Sequence, residues 1–378
     1  MLLPLLVAML TVVVAHPTLV KIARRKHLVD NPNARKLNKE PMPVLGGVGV
    51  TFGLMVAVGV ACYVMPDFYL PAEVVIAIVV LLYTGVADDI LDLTPRRKLL
   101  LQAFVVLMLI FSAELYIDNL YGLWGLYYLP WWLTVALTLA AGVGIINAMN
   151  LIDGVDGLCA LYAIFASMMF GISFALAADY SYAVLAFATV GALIPFVLHN
   201  IYGAKYKMFL GDGGSLVLGF LCAVFVLRVL QSEHSAIGGS SVVFAFAVMA
   251  VPVCDTLRVM SVRMARRRSP FSPDKSHLHH QFIALGMSHR LTAFAIVGLD
   301  VVIVGVWLSS VMAGASAEWQ VVTTFFMAVM LTWGVYYLLG SVICRPRWMV
   351  GFRRVARLGL MRRTQFVERL QRVLNDKT

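Results

Sequence analysis

The chain has 378 residues, 61% of them hydrophobic and only 13% charged, with a formal net charge of +10. A soluble globular chain carries about 25% charged residues, so the composition argues against an ordinary soluble domain and for one helical bundle in a bilayer. The basic excess argues against a nucleic-acid partner by its placement: 29 of the 30 Lys and Arg lie in five stretches between apolar segments, 21–43, 88–98, 200–212, 258–290 and 345–378.

Residues 2–20 form an apolar run followed, not preceded, by Lys21, Arg24, Arg25 and Lys26. A secretory signal puts its charge first, so this run reads as a retained first helix with its N-terminus outside. Spans of roughly 20 apolar residues then recur at 44–65, 71–87, 98–117, 131–148, 158–177, 181–199, 214–231, 240–260, 291–313 and 320–343. Lipid admits no open sheet, so the fold class is an all-α polytopic membrane protein with about eleven transmembrane helices. With the N-terminus outside and the C-terminus cytoplasmic, all five basic stretches fall inside. The outer loops hold Asp67, Glu73, Glu114, Asp118, Asp179, Glu233 and Glu318. Trp124, Trp131 and Trp132 with Tyr121, Tyr127 and Tyr128 read as an outer aromatic belt. Residues 1–344 form the membrane domain, and 345–378 a basic cytoplasmic tail with the spacing of an amphipathic helix. The cysteines, all in or beside apolar segments, show neither metal spacing nor a disulfide framework.

Polar motifs interrupt this pattern at predicted inner helix ends. Asp88-Asp89 closes the third span, with Arg96, Arg97 and Lys98 just beyond. Adjacent carboxylates repel unless a cation neutralises them, and hard oxygen ligands suit Mg²⁺ bridging to a phosphate. The segment Asn147–Gly157 gathers Asn150, Asp153 and Asp156 with two glycines, donors and acceptors for a nucleobase, ribose or sugar. Phe209–Ser215 is a glycine-rich turn into a helix carrying Asp212; free N–H groups there suit a phosphate, although it is no Walker loop. His199-Asn200 sits at an inner helix end, where Asn200 is a plausible ligand contact. After the ninth span come Asp255, Arg258, Arg263 and His277-Leu278-His279-His280. Without Cys or HExxH partners the histidines fit pyrophosphate or uridine better than zinc. Asp300 falls mid-span, where an acid is functional or paired. His16 and Arg228 read as interfacial or satisfied within the bundle.

In order and spacing, Asp88-Asp89, Asn150–Gly157, Phe209–Ser215 and His277–His280 resemble the polyprenyl-phosphate N-acetylhexosamine-1-phosphate transferases. The segment from Asp30 through Gly47 resembles that family's first cytoplasmic loop. The match extends over about residues 1–345, nearest the bacterial UDP-GlcNAc:undecaprenyl-phosphate branch; His277-Leu278-His279-His280 is less dense than the triple His of the peptidoglycan translocase. The resemblance implies transfer of a sugar-1-phosphate from a UDP-N-acetylhexosamine to undecaprenyl phosphate with release of UMP, initiating a cell-surface glycan. It implies a Mg²⁺ cofactor (Mn²⁺ substituting), membrane lipids as surroundings and a homodimer. Asp212 would be the leading metal ligand with Asp89 in support, and Asp88 would deprotonate or orient the lipid phosphate. Lys98 would guide that phosphate. Asp153, Asp156 and Asn200 would bind the nucleotide side, Asn150 and Phe209 would contact the substrate, and Arg263, His277, His279 and His280 would hold the pyrophosphate or sugar. Two rivals fit less well. A secondary transporter would show midplane acids and duplicated halves. A CDP-linked transferase would show a different aspartate pattern.

Overall fold

The computed structural model describes residues 1–30, 41–203, 205–231, 238–270 and 276–344. The expected tail helix over 345–378, most of the first loop and residues 271–275 lie outside the described residues. The helices are α1 (Leu2–Arg25), α2 (Gly46–Val64), α3 (Ala72–Leu91), α4 (Pro95–Phe111), α5 (Trp131–Ile152), α6 (Leu158–Leu176), α7 (Tyr180–Tyr202) and α8 (Gly211–Val229). They continue with α9 (Ser241–Val248), α10 (Ala250–Ala265), α11 (Leu278–Ala284), α12 (His289–Met312), α13 (Ala317–Val329) and α14 (Val335–Ile343), the last two joined by a π-helical turn, Met330–Gly334. Two antiparallel hairpins complete the fold: β1 (Val29–Asp30) with β2 (Met42–Pro43), and β3 (Asn119–Leu123) with β4 (Leu126–Tyr128).

All eleven expected segments contain helix, though not every one is a long unbroken helix. Among the described residues nine helices are long and apolar enough to cross a membrane, or ten if the bent pair α9–α10 counts as one span. The shortfall has a local cause. α4 has 17 residues, and its first turn is spent on Arg96, Arg97 and Lys98 behind Pro95. Proline suits that first position because its missing N–H is not needed there.

α8 is apolar on all sides and almost wholly buried, the mark of a central helix. It packs against α2, α3, α5 and α6. Peripheral helices expose Val79, Phe104, Val301, Phe325 and Phe326, side chains for which lipid is the favourable solvent. Close approach to the start of α8 depends on glycine. A Cβ on Gly85 of α3, or on Gly47 of α2, would strike the backbone at Gly213 and Gly214. Three helices thereby converge on the turn that carries Asp212.

Candidate active site

The α8 turn is held from several directions. Gly211 adopts φ +73°, a conformation that glycine tolerates without strain. The N–H groups of Gly46 and Gly47 donate to the carbonyls of Phe209 and Leu210 at 3.0 and 2.8 Å, and Phe209 N–H donates to Pro43. Half-buried Phe209 is thus strapped to the start of α2. Both carboxylate oxygens of Asp89 accept from Asp212 N–H at 3.1 Å, capping the positive end of α8 from the last turn of α3. Asp89 therefore stands behind Asp212 and fixes its backbone.

The side chain of Asp212 faces the other way. Lys98 Nζ donates to Asp212 Oδ2 at 2.6 Å and also pairs with Asp88. Asn150, in the last turn of α5, donates to Asp212 Oδ1 at 3.1 Å and to Ser215 Oγ at 2.8 Å. Asp88 also accepts from Leu93 N–H at 2.7 Å, closing α3 at Asp92, φ +50°. Asp88, Asp89, Lys98, Asn150 and Asp212 are thus one bonded cluster from α3, α4, α5 and α8. One ammonium sits between two of its three carboxylates. Among the described residues no three His, Cys, Asp or Glu side chains form a metal cage. Mg²⁺ does not need one; it takes one or two carboxylates plus phosphate oxygens and waters, and Asp212 with Asp88 would fit the carboxylate part of that set.

From Asn150 the chain leads into the second group. Asp153 caps α5 and lies half-buried. Burial, reinforced by the charges of Asp212, Asp89 and Asp156, holds its carboxyl well above the usual carboxylate range. Burial also pushes Asp156 upward, but its partners outweigh it: His289 Nδ1 lies 3.0 Å and Lys207 Nζ 2.7 Å from Oδ2, and the net shift is downward. Buried Asn200 donates to Met208 O at 2.7 Å, while its own Oδ1, beside Gly157, has no partner among the described residues.

The histidine segment closes the group. A Cβ on Gly154 would meet His279 Nε2 at 2.5 Å, so the imidazole lies on the Asp153–Asp156 turn. The His279 ring is parallel to His277, centroids 5.8 Å apart, and 4.2 Å from His280. Burial and the neighbouring His280 and His277 push His279 down to about 3, so it is neutral at physiological pH. Asp255 in α10 anchors the segment: its Oδ2 lies 2.9 Å from His277 Nδ1, and it accepts from Leu278 N–H at 3.1 Å. That bond orients the ring and leaves Nε2, buried and without a partner among the described residues, as its other working atom. Arg258, only 1% exposed, pairs with Asp255 at 2.6 Å, donates to Ser276 O at 2.6 Å and lies 3.5 Å from the centroid of Tyr336. Arg263, further along α10, is buried and donates to Pro270 O at 2.5 Å.

The sequence reading has Asp255 and Arg258 only as members of a basic loop, Lys207 only as part of the basic stretch at 200–212 beside Asn200, and no role for His289. The visible signal was an acid and a base three residues apart, the pairing interval of a helix, inside an otherwise apolar run.

The model for glycosyl transferase family 4 matches residues 72–230, which contain the whole carboxylate cluster. The undecaprenyl-phosphate alpha-N-acetylglucosaminyl 1-phosphate transferase of Escherichia coli strain K12 is 30% identical over 337 residues, 87% of each chain. That of Yersinia pestis is 30% identical over 322 residues, 82% of this chain and 84% of the relative. A probable undecaprenyl-phosphate N-acetylglucosaminyl 1-phosphate transferase of Bacillus subtilis is 29% identical over 299 residues, 77% of this chain and 79% of the relative. With that coverage and those motifs, the chain belongs to glycosyl transferase family 4, among the polyprenyl-phosphate N-acetylhexosamine-1-phosphate transferases.

Proposed function

We propose that this multi-pass membrane protein transfers N-acetylhexosamine-1-phosphate, with GlcNAc as the sugar, from a UDP-sugar to undecaprenyl phosphate and releases UMP. The proposal places the site at the cytoplasmic face of the bacterial inner membrane, where the basic stretches cluster. The observation that carries it is the bonding of Asp212 to Lys98 and Asn150 at the start of a buried helix, with Asp88 on the same ammonium.

A lipid phosphate must approach a diphosphate, so like charges have to be neutralised together. Bound Mg²⁺, or Mn²⁺ in its place, would supply Lewis-acid charge neutralisation, with Asp212 as its protein ligand and Asp88 within the same cluster. Lys98 adds a fixed cation that can shift from its carboxylates to the incoming phosphate. Asp88 accepts the proton of a protonated lipid phosphate, or orients it. Asp89 keeps the α8 N–H groups aimed, and Asn150 sets the rotamer of Asp212. The lipid phosphate oxygen forms a bond to the sugar-proximal phosphorus as the bond to UMP breaks, one anhydride exchanged for another. Asp153, Asp156, Asn200 and Phe209 hold the nucleotide side, and the histidine segment the sugar side.

The test is purified protein with Mg²⁺, undecaprenyl phosphate and radiolabelled UDP-GlcNAc. Stoichiometric UMP and lipid-borne label are expected. Labelled lipid from another UDP-N-acetylhexosamine alone would correct the sugar. Vesicle uptake of the nucleotide sugar without lipid product would overturn the reading in favour of transport.

A further inference from the structure

Pro252 is the third residue of α10. In an unbroken helix its N–H would bond the Val248 carbonyl four residues back; proline has no N–H, and its ring crowds that carbonyl. The span breaks at Met249 and bends by 71°. Two backbone groups then lose their helical partners inside the bundle: the carbonyl ending α9 and the Val251 N–H opening α10. In an apolar interior both need replacements. Tyr162 O–H, from α6, donates to Val248 O at 2.7 Å. Val251 N–H donates to Asp300 Oδ1, from α12, at 3.0 Å. Both side chains are 0% exposed, and the Tyr162 hydroxyl stands beside Asp300.

We propose that Asp300 and Tyr162 are positioning residues that set the angle of the broken span and so deliver Asp255 and Arg258 to the histidine segment. Each tied helix leads to the candidate site. Asp255 lies one turn beyond Val251. α6 opens directly after the Asp153–Gly157 turn. α12 opens at His289, which meets Asp156. The break also explains why an acid sits mid-span. Capping Val251 needs an acceptor oxygen and not a charge, and the second Asp300 oxygen has no protein partner among the described residues.

Asp300→Asn keeps an acceptor, Asp300→Leu removes it, and Tyr162→Phe removes one hydroxyl while keeping the ring. In a background without other reactive cysteines, spin labels at Met264 and Val301, both exposed, report the angle between α10 and α12. Asp300→Asn should keep the wild-type distance and turnover within about threefold, as expected where only an acceptor is needed. Asp300→Leu should shift or broaden the distance and raise KM for UDP-GlcNAc about tenfold, leaving KM for undecaprenyl phosphate unchanged. Tyr162→Phe should broaden the distance and raise the same KM about threefold. It decides the matter if the Leu variant does not fold. Wild-type distance and kinetics in Asp300→Leu or Tyr162→Phe would overturn the proposal, as would Asp300→Asn being as impaired as Asp300→Leu. The kinetic arm rests on the transferase reading, which fails separately if the wild-type protein transfers nothing; the label distance decides the staple either way.

Discussion

α8 carries ionised groups at both ends, and the two ends behave differently. At its start, Asp212 shares Lys98 with Asp88 while Asp89 adds a third carboxylate. Near its end, about 24 Å away by helical rise, Arg228 binds Asp179 at 2.7 Å, donates to Gln231 at 2.8 Å and stacks over Tyr182. The far end even has a cavity of about 390 Å³, lined by Tyr69, Glu114, Asp179, Ser181, Tyr182 and Arg228. One cation meets one buried anion there, and the pair is closed. At the start of α8, carboxylates outnumber the ammonium and backbone is brought close by glycine. Surplus like charge and close backbone approach mark the chemical end; charge or cavity alone does not.

The contrast breaks most directly at Asp212. Asp212→Asn should lower transfer by about a thousandfold or more in protein that still folds, because the lost carboxylate would weaken the hold on the cation that neutralises the phosphates. Asp88→Asn should cost somewhat less, on the order of a hundredfold to a thousandfold, since Lys98 and Asp212 remain. Radiolabel transfer by monodisperse purified variants checks both. Full activity in either would remove that residue from the chemistry.

Asp255 sharpens the comparison, since its pair with Arg258 is more deeply buried than the Arg228 pair and is also bonded to His277. Asp255→Asn should lower turnover about ten- to a hundredfold and also destabilise the fold, because Arg258 is left with an uncompensated charge. Adding Arg258→Gln should return thermal stability without returning turnover. Recovery of both would mean that Asp255 serves only to neutralise Arg258.

Much of this was legible in the sequence, for particular reasons. Asp88-Asp89, Asn150–Asp156, Phe209–Asp212 and His277–His280 stand out because polar residues are rare in a membrane chain and therefore informative. What could not be read is which of them bond. Lys98 and Asp212 are 114 residues apart, and nothing local reveals that Asp89 caps the helix that Asp212 opens. Hydropathy registers apolar residues and not helix continuity, so the eleven expected segments do not reveal which of them hold a broken or shortened helix. Pro252 breaks one span, and Arg96–Lys98 take up the first turn of another. Arg228, the single basic residue outside the five stretches, reads as interfacial or satisfied within the bundle, and Asp179 is the partner that satisfies it.

His279 offers a smaller effect with a definite sign. Its folded value is pushed down to about 3, below the unfolded reference of about 6.5. Between those values the unfolded chain binds the extra proton, so the contribution is complete above about pH 6.5 and is lost as pH falls toward 3. By pH 5 the loss is about 2 kcal/mol. Thermal melts in detergent should show that slope, and His279→Gln should flatten it. An unchanged slope in the variant would mean that other groups govern acid sensitivity.

The smallest kinetic effect belongs to the far end of α8. Arg228→Gln should leave turnover within about twofold while lowering thermal stability, since it exposes Asp179 to burial without a partner. Asp179→Asn added to it should recover part of that stability, because a neutral pair no longer needs a counter-charge. The same helix would then tolerate loss of charge at one end and not at the other. A tenfold fall in turnover from Arg228→Gln, with stability intact, would show that the Arg228–Asp179 pair acts on the reaction through the length of α8, and the division between a structural and a chemical end would fail.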